Sequence, residues 1–198
     1  MSTPMIGHVL MRQEGVEGTR GLAYDYVFAR NGVFLEAENN FIKARIRVVE
    51  TEIRGLELTT ERVELKHGLV PSYFLAMALR TMRLEPGLEV YLAVVEDDGY
   101  YRMAQPPQEG MAGRVVYHTL PNTVLDFHSH GSMVAHFSGT DDHDDQGFRI
   151  SAVIGRLDQP RAELEMRLGI YGYHSRVRFP EVFTGEMPTD LVPALERT

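Results

Sequence analysis

Hydrophobic and polar positions alternate with a period of two over much of the first third of the chain. In residues 41–50 the apolar set Ile42, Ala44, Ile46 and Val48 faces the polar set Lys43, Arg45 and Arg47. A strand places successive side chains on opposite faces, so this pattern predicts a half-buried β-strand. Residues 24–30 and 33–37 read as two shorter strands joined by Asn31-Gly32, a pair suited to a type I′ turn. Residues 56–65 continue in the same style, giving a β-rich segment of about four strands over 22–66. The Gly-rich, polar residues 1–20 read as a loosely held lead-in. The period then changes. Pro71-Ser72 opens a helix whose stripe runs through Phe74, Met77, Ala78 and Met82, and Pro86-Gly87 ends it. Residues 88–95 are apolar on both faces apart from Glu89, which predicts a central strand. Further strands are expected at 100–104, 115–119, 124–127, 148–157 and 164–171. The last has Leu164, Met166, Leu168 and Ile170 inward, with Glu165 and Arg167 outward. Asp158-Gln159-Pro160 predicts antiparallel pairing of the final two. Residues 105–113, broken by Pro106-Pro107, Gly110 and Gly113, read as a flexible loop, and 180–198, with three prolines, as an irregular tail.

Composition narrows the function classes. The chain has 198 residues, 43% hydrophobic and 24% charged, as expected of a globular protein. It has no apolar run of membrane-spanning length and no basic, apolar leader at its start, so the expectation is a cytoplasmic protein without a membrane partner. Cysteine is absent, which excludes disulfides, thiolate zinc ligands and thiol catalysis. A formal charge of −8 without a basic stripe argues against nucleic acid.

The candidate chemistry lies in residues 127–141. His128 and His130 are two apart, so a strand aims both imidazoles at one point. A loop returning Asp141 to that point adds an anionic third ligand. Two histidines and a carboxylate with a position left for water form a catalytic zinc set. Ser138 lies close enough in sequence to reach the rim. His136 and His143 are alternative ligands by residue type but read as surface histidines. Ser138, Thr140 and Asp141 can cap a helix whose first turn contains Asp142, Asp144 and Asp145, where carboxylates complement the dipole.

The spacing H-x-H-x7-S-x2-D formed by His128, His130, Ser138 and Asp141 resembles the JAMM motif of the JAB/MPN metallopeptidase family, in its prokaryotic branch. The resemblance covers roughly residues 68–180. It implies an α+β fold of the MPN/JAB (cytidine-deaminase-like) kind, a mixed β-sheet flanked by helices. The chain then divides into a β-rich N-terminal extension (1–66), the JAB/MPN domain (67–180) and an irregular C-terminal tail (181–198). The resemblance implies Zn²⁺ on His128, His130 and Asp141, Glu89 as general base and Ser138 as donor to the oxyanion. Glu85, Glu96 and Glu109 remain alternatives to Glu89. Two positions depart from the common pattern: Leu92 stands where relatives often have glycine, and Gly131 where many have proline. Asp126, on the same strand face by parity, is a candidate acceptor for a ligand imidazole. The implied activity is cleavage after the C-terminal glycines of a ubiquitin-like protein or its conjugates. F-S-G-T-D-D and G-I-Y-G are similar to an MPN-like protein of bacterial mobile elements that travels with an activating-enzyme homologue, a further expected partner. The alternatives are removal of a small adduct, such as cysteine, from a sulfur-carrier protein, and a non-catalytic MPN scaffold.

Overall fold

The structure is a computed structural model that describes residues 2–111, 114–144 and 146–194. Two compact units divide the chain at Gly68 and Leu69.

The first unit is a six-stranded sheet of β1 (Ile6–Arg12), β2 (Gly15–Thr19), β3 (Tyr24–Ala29), β4 (Gly32–Glu38), β5 (Ile42–Val49) and β6 (Arg62–Leu65). The strand order is β2-β1-β3-β4-β5-β6, with β1 parallel to β3 and every other pair antiparallel. Alternation in β5 buries Ile42, Ala44 and Ile46 as expected. Residues 1–20 are not a loose lead-in: β1 pairs on both sides and buries Val9 against Val27, Ala29 and Phe34. Only Gly7 and Val9 of β1 are fully buried, too few to make its alternation stand out. The expected 31–32 turn is shifted by one residue. Ala29 pairs with Gly32, so Arg30-Asn31 forms the turn, and of the predicted pair only Gly32 takes a positive φ, 142°. A Cβ on Gly32 would sit 2.2 Å from the Val49 carbonyl oxygen, so close backbone approach is what requires glycine there. Asn31 instead uses its side-chain amide on the Thr59 backbone. Of residues 56–65, only Arg62–Leu65 is strand.

A row of charges crosses this sheet in register: Asp25 on β3, Glu36 on β4, Arg45 on β5 and Arg62 on β6. Arg20 closes the row, donating to Asp25 at 2.7 Å and to Glu36 at 2.6 Å, while Arg45 Nε donates to Glu36 at 2.7 Å. Asp25 and Glu36 are buried, so the carboxylates are held by pairing rather than by water.

The second unit begins with β7 (Val70–Pro71) and α1 (Tyr73–Met82). The helix buries Phe74, Leu75, Ala78, Leu79 and Met82, and Met77 is exposed, so the stripe is rotated slightly from the expected one. There follow β8 (Tyr91–Asp97), β9 (Tyr100–Ala104), β10 (Gln108–Met111), β11 (Arg114–Tyr117) and β12 (Thr123–Ser129). After them come α2 (Gly139–Asp144), β13 (Phe148–Gly155), β14 (Ala162–Ile170), β15 (Tyr173–Arg176), α3 (Phe179–Val182), β16 (Phe183–Thr184) and β17 (Leu191–Pro193). The main sheet runs β15-β14-β13-β12-β8-β9, with β17 beside β14. β12 and β13 are parallel, β14 pairs antiparallel with β13, and β17 lies parallel to β14. The sheet is therefore mixed, as expected, but the unit is strand-rich, with helices of only ten, six and four residues among the described residues.

Two expectations change here. Part of 105–113 is the strand β10, paired with β11, while 112–113 lie outside the described residues. The tail is not irregular through Ala194. Phe183 stacks on Phe127 and Phe179, β16 pairs with β7, and β17 extends the sheet; residues 195–198 lie outside the described ones. Prolines ended each segment early without preventing short edge strands, where a missing N–H is tolerated.

Candidate metal centre

The site is built at the end of β12, whose seven residues are all buried. β12 is flanked by β8 on one edge and by β13 on the other, so it is an interior strand of the sheet. His128 is the penultimate residue of the strand. His130 lies one step beyond it, and its N–H still donates to Ile154 at 2.9 Å, so the extended geometry continues and both imidazoles share a face. Their ring centroids are 5.2 Å apart. Gly131 then turns the chain with φ of 54°, which proline cannot adopt, and a Cβ there would approach the Pro86 carbonyl oxygen to 2.8 Å. That accounts for the departure at this position.

The crossover to β13 returns the third group. Ser138 N–H and Oγ donate to Asp141 Oδ2 at 2.6 and 2.7 Å, and the Asp141 N–H meets Ser138 Oγ at 3.3 Å. This reciprocal cap fixes the start of α2 and leaves Asp141 Oδ1 turned to His128. His128 Nε2 lies 3.2 Å from Asp141 Oδ1, and His130 Nε2 lies 3.9 Å from Oδ2. One ligand atom from each of the three residues falls within 4.8 Å of the others. His130 Nδ1 is buried with no hydrogen-bond partner, and His128 Nε2 is buried with only the Asp141 carboxylate beside it. Buried polar nitrogens left in this state are costly unless something else satisfies them. The donor set, two imidazoles and a carboxylate, is that of a borderline divalent cation. The residues fit a metal ion.

Charge states agree with that fit. Burial, with His128 nearby, pushes the His130 imidazole down to about 4, so it is neutral and able to ligate at ordinary pH. Burial works to raise the Asp141 carboxyl, but His128 and the hydrogen bonds from Ser138 outweigh it and hold the group well below the usual range. Glu89 moves the other way. Burial raises it, His128 opposes this, and the Asp141 charge adds to the rise. A carboxylate raised in this manner is suited to accept a proton.

Glu89 lies two residues before β8 rather than within it. Its neighbour Val90 is tied to the end of β12 through Ser129, with Val90 N–H donating to Ser129 Oγ at 2.9 Å and Ser129 N–H to Val90 O at 3.1 Å. Tyr91 is in register with His128. These ties bring Glu89 up to the ligand residues. Glu85 is exposed, and Glu96 caps the turn at the far end of β8 through the Gly99 N–H. Glu109 is in β10, and its side chain lies outside what is described. Leu92, at the common glycine position, is buried and pairs with Phe127.

The remaining assignments are settled locally. Asp126 is buried on the face of His128, but its hydrogen bonds go to Arg149 at 2.6 Å and to the Tyr91 hydroxyl at 3.5 Å, not to a ligand imidazole. His136 is half-buried, its ring edge-on to His130 at 5.0 Å and its Nδ1 3.2 Å from Val134 O, so it is a wall of the site rather than a surface residue. His143 is exposed.

Residues 88–169 match the family described as prokaryotic homologs of the JAB domain. This segment is similar to a prokaryotic JAB domain. The matched stretch contains Glu89, His128, His130, Ser138 and Asp141, and the curated proteins contain no match to the chain. Such a JAB domain with a group able to hold a metal is either a metal-dependent hydrolase or a scaffold of the MPN kind.

Sequence reasoning missed the residues around the JAB site. Phe137 stands edge-on to His128 at 6.0 Å, and the Arg167 guanidinium lies 3.9 Å over the Phe137 ring. Arg167, expected outward, is buried because the crossover and α2 fold over its end of β14. Parity along β14 identified its face correctly but gave no sign that this face is covered. A cavity of about 620 Å³ opens beside the site, lined among others by His136, Phe137, Asp142, Glu165, Arg167 and His174.

Proposed function

We propose that this JAB domain is a zinc-dependent isopeptidase or peptidase that cleaves after the C-terminal glycines of a ubiquitin-like protein. The observation that carries the reading is the convergence of His128, His130 and Asp141, one ligand atom of each within 4.8 Å of the others, beside a buried glutamate whose carboxyl is raised by burial and by the Asp141 charge. A scaffold has no need of either.

His128, His130 and Asp141 would hold the ion, and Zn²⁺ held there would supply Lewis acidity. Glu89 accepts the proton of the attacking water and returns it to the leaving amine. Ser138 is the candidate donor to the developing oxyanion. Its hydroxyl donates to Asp141 Oδ2 in the resting site, and the Ser138 N–H, at 2.6 Å, keeps that oxygen held when the hydroxyl turns away. A flexible glycine-ended tail suits such a site because it lies extended without side chains to clear. Partners would be the ubiquitin-like protein and an activating-enzyme homologue that charges it.

The test is hydrolysis of ubiquitin-like fusions by wild type and Glu89→Gln, with zinc content measured on both. The expected result is a fall in kcat of about 10²–10⁴ in Glu89→Gln, with zinc retained. Full activity in Glu89→Gln, or wild type devoid of zinc after growth with it, would overturn the reading. Mass spectrometry of the products identifies the leaving group, a protein amine or a free amino acid.

A further inference from the structure

α2 is only six residues long, and helices of that length do not hold themselves in water. It nonetheless has to place Asp141 to within about 0.5 Å of a ligating position. The Ser138 cap orients the Asp141 carboxylate within its own segment but does not anchor that segment to the sheet. The anchor is found one residue further on. Asp142 Oδ1 accepts from Arg167 Nη1, and His174 Nδ1 lies 3.8 Å from the same oxygen.

Arg167 is well placed for this. In register across the sheet, Arg167 on β14 pairs with Ser151 on β13, which pairs with Asp126 on β12. Asp126 shares a face with His128, so Arg167 rises from the metal face two strands away, roughly 10 Å at ordinary strand spacing. Its side chain is 8% exposed, whereas that of Asp142 is 54% exposed. A buried guanidinium is costly unless it is used, and here both its edge and its face are in use. The edge holds Asp142, next to one ligand. The face covers Phe137 at 3.9 Å, and Phe137 stands against the imidazole of another ligand, His128.

We propose that Arg167 is a positioning residue of the metal centre, fixing Asp141 through Asp142 and His128 through Phe137 without touching metal or substrate. This rests on the metal-centre reading above. A second consequence follows from the two contacts being made by one group. Lysine in its place keeps the charge for Asp142 but loses the planar face on Phe137, so it restores the centre only in part.

The experiment is zinc affinity by chelator competition on the full chain, for wild type, Arg167→Met, Arg167→Lys, Asp142→Asn and the Arg167→Met/Asp142→Asn double variant. Thermal melting of the metal-free forms and the absorption spectrum of the Co²⁺ forms accompany it. Arg167→Met is expected to weaken zinc about 10–100-fold, the range seen when a residue behind the ligands is removed. Asp142→Asn should lose part of that, Arg167→Lys should recover part, and the double variant should be no weaker than Arg167→Met. The Co²⁺ spectrum of Arg167→Met should shift, which a loss of general stability would not cause. Zinc affinity of Arg167→Met within twofold of wild type, whatever its melting temperature, overturns the proposal. Additive losses in the double variant do so as well. Should Arg167→Met not fold, Asp142→Asn decides, since that side chain is mostly in solvent: unchanged zinc affinity there overturns the proposal, and weakened affinity supports it. Wild type that binds no zinc overturns the metal-centre reading itself, a result distinct from equal binding by wild type and variants.

Discussion

Ser138 has two jobs that chemistry separates. As a cap it holds Asp141 Oδ2 with both backbone N–H and hydroxyl, and as a proposed oxyanion donor it needs the hydroxyl alone. Ser138→Ala keeps the N–H contact. It should therefore lower kcat by about 10²-fold, the usual effect of removing one oxyanion donor, while zinc affinity changes less than tenfold. Parallel losses of rate and affinity would make Ser138 an orienting group only. The pairing of the candidate ligands His128 and His130 was legible in the sequence because i and i+2 parity on a strand is a strong geometric constraint, and the fold kept it through His130. The residues behind the ligands were not legible. Asp126 follows the same parity but meets Arg149, a partner set by the β12–β13 register rather than by anything local. Arg167 and Phe137 come together only because a crossover folds over one end of β14.

Among elements, the cross-strand row in the first unit invites the clearest test. Burial would raise the Glu36 carboxyl, but hydrogen bonds and charge from Arg20 and Arg45 outweigh it and hold the group below its usual value of 4.5. A carboxyl depressed in the folded state contributes stability that is complete above the unfolded value and is lost as pH falls through the folded one. The unit of residues 1–68 should thus lose stability on acidification below about pH 4.5. Glu36→Gln should remove that contribution and cost on the order of 1–3 kcal/mol at neutral pH, because it leaves the half-buried Arg45 without its partner charge. Denaturant melts of both proteins between pH 7 and pH 3 check this, and parallel pH profiles would count against it. Strands buried on one face, such as β5, were plain in the sequence. β1 was not, since glycines and exposed polar residues diluted its pattern. The short helix α3 and strands β16 and β17 were hidden for another reason: their place depends on Phe127 and on the edge of β14, both distant in sequence.

For the whole molecule, the compact unit of residues 69–198 is longer than the segment 88–169 that carries the JAB resemblance. Outside the matched stretch lie α1, with its five buried residues, and Phe183, which stacks on Phe127 directly beneath the site strand. Expressed alone, residues 69–198 should fold and bind zinc, whereas residues 88–169 alone should give no cooperative melt. A folded, zinc-binding 88–169 fragment would show that the flanking elements are dispensable. No helix among the described residues is long and apolar enough to cross a membrane. Parallel pairing of β12 and β13 requires a long crossover in any case, and this chain uses that connection to carry Asp141 back to the end of the strand it has just left. A protein without cysteine has no disulfide with which to pin such a connection. An ion gripping His128, His130 and Asp141 ties the crossover to its own starting point, closing a loop in the chain as a cross-link does and reducing the freedom of the unfolded state to the extent that the ion stays bound there. Its removal would loosen the connection between β12 and β13.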